Sequence, residues 1–374
     1  MMCLKILFAG GGTAGHINPA IAVANYIRAK KPDWDILFIG TKEGLETKLV
    51  PKEGLKIKYI NIKGFKRKLS IDNLVTVRDL FIGMLQARKI IAEYKPDIVI
   101  GTGGYVSGPV VLNASMMKIP TIIHEQNAIP GVTIKILSRF ADVIAMGFEE
   151  SKNHFKTVNK LVHTGNPIRQ ELINIDKETA KRRLGLDNKP VILAVGGSLG
   201  AQKINESIVE YIKSIYRKNK VYLMFGTGEK QYQDVLDTLK SQGIDLEIDK
   251  NIRVFPYIND MNIYAASDLV ICRCGAMTLS EVTAMGKPAI LIPSPNVTHN
   301  HQEYNARALE KQGAAIVFTE KELDSKKLNN QIENLLKDQK LLQQMAKNSF
   351  NMGITNAAEK IYNIVIELLK ESGK

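Results

Sequence analysis

The sequence predicts an α/β protein made of two Rossmann-like, doubly wound parallel-sheet domains facing each other across a cleft. Three observations point there. Short apolar strands alternate with longer amphipathic stretches, the order expected when crossover helices cover both faces of a parallel sheet. That alternation lapses near residue 165 and restarts at residue 191. The chain has 374 residues, and at roughly 100–200 residues per domain this length suits two domains. Its 45% hydrophobic and 24% charged content is that of a folded globular chain, which excludes a disordered, collagenous or disulfide-scaffold protein.

In the first half the strands are read at 5–9, 36–39, 57–60, 98–100, 121–124 and 143–145, with helical stretches at 20–30 and 75–93 between them. Gly165-Asn166-Pro167 combines turn residues and reads as a hinge. A polar stretch with a short helix (174–189) follows. The second set of strands lies at 191–195, 222–225, 252–255, 269–271 and 289–292. Residues 357–370 form a strongly periodic helix, with Ile361, Ile364, Val365 and Leu368 on one face. That face must be buried. The expected domains are therefore 1–165 and 166–354, with the terminal helix (355–374) returning to the first.

The chain carries 51 Lys and Arg against 38 Asp and Glu, a net +13. Residues 1–165 hold 23 basic and 13 acidic residues, a net +10, so the basic excess belongs mostly to the first half. Such an excess suits an anionic partner: nucleic acid, a membrane surface or a phosphorylated substrate. Three cysteines in a chain this long suit a reducing cytoplasm. Cys272 and Cys274 have zinc-like spacing, but no second pair exists, and a buried strand is the better reading. No apolar run approaches the roughly 20 residues needed to cross a bilayer, so any membrane contact is expected to be peripheral.

Glycine-rich loops end the strands in both halves. The first strand runs into Gly10-Gly11-Gly12-Thr13-Ala14-Gly15-His16. Glycines permit a sharp turn and let backbone amides approach an anion at the next helix N-terminus. The spacing matches the dinucleotide fingerprint, yet the second strand ends Phe38-Ile39-Gly40-Thr41 with no carboxylate to hold a ribose. Further loops are Gly101-Thr102-Gly103-Gly104-Tyr105-Val106-Ser107-Gly108-Pro109, Gly196-Gly197-Ser198-Leu199-Gly200-Ala201-Gln202, Gly226-Thr227-Gly228, and the block opening at Arg273. A single loop of this kind reads equally as a structural turn. Their recurrence at strand ends favours phosphate binding on both sides of one cleft.

Among single residues, His16 opens a helix beside a phosphate-type loop and is a candidate general base, or else a histidine that bonds the loop. In His124-Glu125-Gln126-Asn127, Glu125 reads as a structural acceptor for loop amides and Asn127 as a reader of sugar hydroxyls. His299 and His301 have metal-like spacing without a supporting carboxylate motif. Asp33-Trp34-Asp35 matches a pattern used for divalent ions, but it precedes a strand and reads as surface.

Six motifs in order make the chain resemble the MurG family, the N-acetylglucosaminyltransferases of peptidoglycan synthesis. They are Gly11 to His16, Gly103 to Pro109, His124 to Asn127, Gly165-Asn166-Pro167-Ile168-Arg169, Gly196 to Ala201, and Arg273 to Pro288. The resemblance covers essentially the whole chain. It implies the GT-B fold, no cofactor and no bound metal. It also implies inverting transfer of GlcNAc from UDP-GlcNAc to the MurNAc 4-hydroxyl of undecaprenyl-diphospho-MurNAc-pentapeptide (lipid I), giving lipid II.

By the same resemblance Ser198 and Arg169 hold the donor diphosphate, the Ile258 backbone meets the uracil, and Glu281 meets the ribose. Ala276, Met277 and Thr278 hold phosphate and sugar, while Asn127 and Gln302 contact GlcNAc. Thr13, Ala14 and Gly15 count among the UDP-GlcNAc-binding residues and, with Gly103, Gly104 and Tyr105, face the acceptor diphosphate. His16 is the base. Three positions depart from the family pattern: Ala14 stands for a glycine, Cys274 for a serine and Glu303 for a second glutamine.

A polyprenyl-linked acceptor implies docking on the cytoplasmic side of the cell membrane. Lys63, Lys66, Arg67 and Lys68 precede Ile71, Leu74, Val75, Leu80, Phe81, Ile82, Met84 and Leu85, a basic cluster beside an apolar helical stretch. Two other enzymes fit the same parts: a glycosyltransferase acting on diacylglycerol, and a UDP-GlcNAc 2-epimerase. A nucleic-acid binder would explain the charge but not the paired glycine loops.

Overall fold

The computed structural model describes residues 3–64, 72–156, 159–197 and 200–373, with the backbone alone at 72–75 and 77. The chain forms two compact units. One comprises Met1–Ile168 and Ile354–Lys374, the other Arg169–Gly353.

The first unit is built on a seven-stranded, all-parallel sheet. Its elements run β1 (Lys5–Gly10), α1 (Ala14–Lys30), β2 (Asp35–Gly40), α2 (Glu46–Lys52), β3 (Lys56–Tyr59), α3 (Asp72–Tyr94), β4 (Ile98–Gly103), α4 (Gly104–Met116), β5 (Thr121–Glu125), α5 (Val132–Leu137), β6 (Val143–Met146) and β7 (Lys160–His163). The strand order is β3-β2-β1-β4-β5-β6-β7. Alternate residues of β1 feed opposite faces, as the period of a strand requires. Ile6 and Phe8 pack with α1, and Leu7 and Ala9 pack with α3, α4 and α5. The Phe8 and Phe38 rings stack at 5.0 Å between centroids.

The second unit runs α6 (Lys177–Leu184), β8 (Val191–Val195), α7 (Gln202–Ile215), β9 (Tyr222–Gly226), α8 (Tyr232–Ser241), β10 (Ile252–Phe255), α9 (Met261–Ala266), β11 (Leu269–Cys272), α10 (Ala276–Ala284), β12 (Ala289–Leu291), α11 (His301–Lys311), β13 (Ala315–Val317), α12 (Ser325–Lys337) and α13 (Gln339–Met352). Its six strands, all parallel, lie in the order β10-β9-β8-β11-β12-β13. Ile204, Ile208, Tyr211 and Ile212 of α7 share one buried cluster with Leu328, Ile332 and Leu335 of α12.

The last helix, α14 (Ala357–Glu371), belongs to the first unit. It packs beside α1 through Ala358, Ile361, Ile364, Val365 and Leu369. Each large aliphatic buried there is worth about 1.5–3 kcal/mol. Their sum rivals the ~5–15 kcal/mol net stability of a typical domain.

Three features differ from the sequence reading. Strands β7 and β13 lie at sheet edges and fall outside the sequence reading: β7 is partly exposed with a weak apolar pattern, and β13 is only three residues long. Helix α1 begins at Ala14 rather than near residue 20, with Pro19 inside it; the proline costs one helical hydrogen bond but does not end the helix. The turn at Gly165 and Asn166 is fastened to the first unit. Gly165 N–H donates to the Met146 carbonyl at 3.0 Å, and Asn166 Nδ2 donates to the Gln126 carbonyl at 3.0 Å.

Candidate active site

In each sheet the strand order reverses beside the first strand of the unit, between β1 and β4 and between β8 and β11. Connections leave such a point toward opposite faces and open a crevice beyond the strand ends, where α/β proteins bind ligands. Four of the five glycine loops read from the sequence lie at these two points; Gly226-Thr227-Gly228 follows the neighbouring β9.

In the first unit, β1 ends at Gly10 and Thr13 is the N-cap of α1. Strand β4 ends at Gly103, and α4 starts at Gly104 without an intervening loop. The two helix starts touch. A Cβ added to Gly104 (φ +74) would collide with the Gly11 carbonyl oxygen, and one added to Gly12 would lie 3.3 Å from the Tyr105 ring. First-turn amides of a helix lack helical acceptors and carry its positive end. Two such ends meeting here, with Thr13, Ala14 and Gly15 on one and Gly104 and Tyr105 on the other, form a basin suited to an anion. Ala14 has no positive φ; within the loop that conformation falls on Gly12 (φ +86). Alanine at position 14 therefore carries no backbone strain.

His16 is the third residue of α1 and is half-buried. Its ring is clamped. Nδ1 lies 3.0 Å from Gln126 Oε1, and a Cβ on Gly103 (φ +103) would stand 2.7 Å from the same nitrogen. Thr102 Oγ1 donates to the His16 carbonyl at 2.7 Å.

Strand β5 delivers His124 and Glu125, and Gln126 follows it directly; all three are buried. The Glu125 carboxylate accepts from Asn127 N–H (2.8 Å), Asn127 Nδ2 (3.0 Å) and Gly131 N–H (2.9 Å), so it shapes the loop after β5. Burial raises its pKa, and these bonds oppose the rise. Burial pushes His124 down to about 4 and keeps it neutral near pH 7.

Sequence reasoning passed over Glu46. Its side chain is fully buried. Oε2 accepts from Gly12 N–H at 3.1 Å, and Oε1 accepts from Thr41 N–H and Oγ1, each at 2.8 Å. The glycine loop is thus tied from beneath by a carboxylate. No motif announces this residue. The one signal in the sequence is an acid soon after the second strand, whose tip carries no ribose-binding carboxylate.

In the second unit, the loop after β8 places Gly197 (φ +85) and Gly200 (φ +79) before α7; Ser198 lies outside the described residues. Across the switch point, Gly275 caps α10. Leu279 N–H is the first to reach a helical acceptor, the Gly275 carbonyl at 3.0 Å. The N–H groups of Ala276, Met277 and Thr278 therefore have no acceptor within the helix.

One turn along α10, Glu281 Oε1 accepts from Arg169 Nε (3.2 Å) and Nη2 (3.1 Å). Burial raises the Glu281 pKa and the arginine opposes it. Gln302 Oε1 accepts from Cys274 N–H (3.2 Å) and Ser294 N–H (2.9 Å), so its NH2 end is the one directed elsewhere. The Ile258 side chain is buried, near Gly226. Glu303 is engaged by Asn300 and Arg307 of its own segment. Cys272 and Cys274 are buried free thiols, and burial raises Cys272 to about 12.

Asp35 opens β2 at the end of the sheet opposite the glycine loops and pairs with Lys56 at 2.8 Å. His301 Nδ1 contacts the Thr298 carbonyl at 2.8 Å. Of the basic and apolar segment, Lys66, Arg67, Lys68 and Ile71 lie outside the described residues, as do the side chains of Leu74 and Val75. Among the described residues no helix is long and apolar enough to cross a membrane. Phe81 and Leu85 of α3 are 69% and 70% exposed.

Chemically, the first unit offers a held imidazole beside an anion basin. The second offers helix amides, a guanidinium, a carboxylate and a side-chain amide, the parts that recognise a nucleoside-diphosphate sugar.

The sequence is similar to known proteins over nearly its full length. Residues 6–146 match the glycosyltransferase family 28 N-terminal domain, and residues 191–361 match the family 28 C-terminal domain. The UDP-N-acetylglucosamine–N-acetylmuramyl-(pentapeptide) pyrophosphoryl-undecaprenol N-acetylglucosamine transferase of Acetivibrio thermocellus is 54% identical, over 98% of this chain and 99% of that one. The equally named protein of Clostridioides difficile is 45% identical, over 99% and 90%. Among solved structures, MurG of Acinetobacter baumannii has a TM-score of 0.77 at 29% identity, covering 97% of this chain and 99% of that one. The UDP-GlcNAc 2-epimerase of Neisseria meningitidis, bound to UDP-GlcNAc, has a TM-score of 0.66 at 17% identity, covering 98% and 100%; that likeness is one of fold. Two family domains in order and relatives about half identical from end to end settle the matter: the chain belongs to glycosyltransferase family 28.

Proposed function

We propose that this enzyme transfers GlcNAc from UDP-GlcNAc to the MurNAc 4-hydroxyl of undecaprenyl-diphospho-MurNAc-pentapeptide, releasing UDP and forming lipid II for peptidoglycan synthesis. The observation that carries this reading is the 54% identity, from end to end, to a relative named for that reaction. The two sites supply fitting parts. The acceptor hydroxyl attacks the anomeric carbon as the bond to UDP breaks, with inversion, and His16 takes the hydroxyl proton. Negative charge grows on the departing diphosphate. The amides of Ala276, Met277 and Thr278 with Arg169 stabilise it there, and each such donor is worth on the order of 3 kcal/mol of barrier. Glu281 receives the ribose, Ile258 the uracil, and Asn127 and Gln302 the GlcNAc. The basin of Thr13, Ala14, Gly15, Gly103, Gly104 and Tyr105 receives the acceptor diphosphate. No metal or cofactor takes part in this scheme.

The same reading places the enzyme peripherally on the cytoplasmic face of the membrane, through the first unit. Neighbouring helices α3, α4 and α5 leave Phe81, Leu85, Met116, Val132 and Ile136 exposed, with Phe140 just beyond α5. Exposed Lys118, Lys135 and Arg139 lie among them. Large apolar side chains rimmed by cations suit an anionic bilayer surface.

Incubation with UDP-GlcNAc and a lipid I analogue tests the reaction. UDP release that requires the acceptor, with a disaccharide product, is expected. Formation of UDP-ManNAc, or UDP release without acceptor, would overturn it in favour of epimerisation.

A further inference from the structure

We propose that Gln126 is a positioning residue that sets the tautomer of His16, holding its ring as Nδ1–H with the lone pair at Nε2. The inference deepens the reading of His16 as the base and rests on it for its catalytic meaning.

The buried Gln126 amide has two protons on Nε2 and none on Oε1. Nε2 lies 2.8 Å from the Thr102 carbonyl oxygen and 2.9 Å from His124 Nδ1. The Thr102 oxygen can only accept, so Nε2 must face it. Turning the amide over would set two carbonyl oxygens against each other in a buried site. The second Nε2 proton lies between His124 Nδ1 and the more distant His124 carbonyl oxygen at 3.2 Å; a proton on Nδ1 would oppose the amide NH2 at 2.9 Å, so Nδ1 must be unprotonated. His124 Nε2 lies 3.2 Å from the Gly165 carbonyl oxygen and carries the proton of a neutral ring.

With both Nε2 protons spent, Oε1 is left to meet His16 Nδ1 at 3.0 Å. An acceptor-only oxygen there requires a proton on Nδ1. One glutamine therefore holds two histidines in opposite tautomers, His16 as Nδ1–H and His124 as Nε2–H. His124, kept neutral by burial, serves as the fixed reference that prevents the amide from turning. The contact leaves the uncharged His16 ring its lone pair at Nε2, which is what a general base needs. A neutral amide does this without the carboxylate that often orients a catalytic imidazole.

Nitrogen-15 NMR of the full-length protein, labelled in its six histidines, tests the inference, with His16 assigned by a His16→Phe spectrum. The expected result is a protonated-nitrogen signal at Nδ1 and an unprotonated one at Nε2 for His16, and the reverse for His124. In Gln126→Leu the His16 signals should move toward the mixture of a free imidazole. Turnover should fall about tenfold to a hundredfold, less than the roughly 10²–10⁴-fold worth of the base itself, with the KM for UDP-GlcNAc nearly unchanged. A His16 that carries its proton at Nε2, or a tautomer unmoved by Gln126→Leu, would overturn the inference. A shifted tautomer with unchanged turnover would uphold the positioning role and remove His16 as the base. The unsubstituted protein's spectrum, assigned through His16→Phe, reads the tautomer without the Gln126 substitution, so the test survives a Gln126→Leu chain that fails to fold.

Discussion

The two units share a strand order around their switch points but hold their loop groups in different ways. In the first unit the polar groups are locked by buried and half-buried bonds to main chain and neutral side chains: Glu46 to Gly12 and Thr41, Glu125 to the loop after β5, and His16 to Gln126. In the second, Arg169 and Glu281 hold each other, and the arginine side chain is 43% exposed. An ion pair with an exposed partner is typically worth only about 0–1 kcal/mol, so it can be exchanged for a ligand at little cost. A buried carboxylate with three donors cannot. The difference matches the proposed division of labour: a base must stay fixed, whereas groups that grip a nucleotide must first release one another.

The strongest test of this contrast is His16→Ala. Turnover should fall by about 10²–10⁴-fold, with the KM for UDP-GlcNAc near its original value, in a steady-state assay of UDP release. A large rise in donor KM would break the division between the units. Arg169→Ala should do the opposite. Donor binding weakens, and kcat/KM for UDP-GlcNAc falls by about a hundredfold, the loss of one transition-state donor of roughly 3 kcal/mol. An unaffected enzyme would mean that the arginine serves only Glu281.

Much of this contrast was legible in the residues, and what was missed has physical causes. Strand–glycine–helix junctions such as Gly10 to His16 stand out because a buried parallel strand is a nearly continuous apolar run and its phosphate loop is glycine-rich. Edge strand β7 lacks that run because its residues are partly exposed, and β13, though apolar, is only three residues long. Glu46 was invisible for another reason. Its partners are the backbone amides of Gly12 and Thr41, and backbone partners leave no trace in side-chain spacing. Gln126 stands within a motif, but its meaning depends on two acceptors and a donor brought together by β4, β5 and α1.

A smaller effect separates structure from chemistry within the first unit. His124 drops from its usual 6.5 to about 4 through burial. Between those values the unfolded chain binds a proton that the folded chain excludes. Folded stability is therefore complete above pH 6.5 and declines as pH falls toward 4, by about 3 kcal/mol at 1.36 kcal/mol per unit. Urea denaturation at neutral and acid pH should show this decline, and His124→Asn should remove that part of it. A slope unchanged in the variant would sink the assignment.

The mildest test probes the tie beneath the glycine loop. Glu46→Gln keeps the shape but replaces one acceptor with a donor. With Oε1 still on Thr41, the new NH2 faces the Gly12 N–H, and two donors meet in a buried site. The expected cost is about 1–3 kcal/mol of stability, read as a lower denaturation midpoint with an unchanged slope. Because the loop belongs to the first unit, the KM for acceptor should rise while that for UDP-GlcNAc holds. If both rise together, the loop serves the donor as well, and the contrast between a locked acceptor site and an exchangeable donor site would have to be redrawn around Gly12.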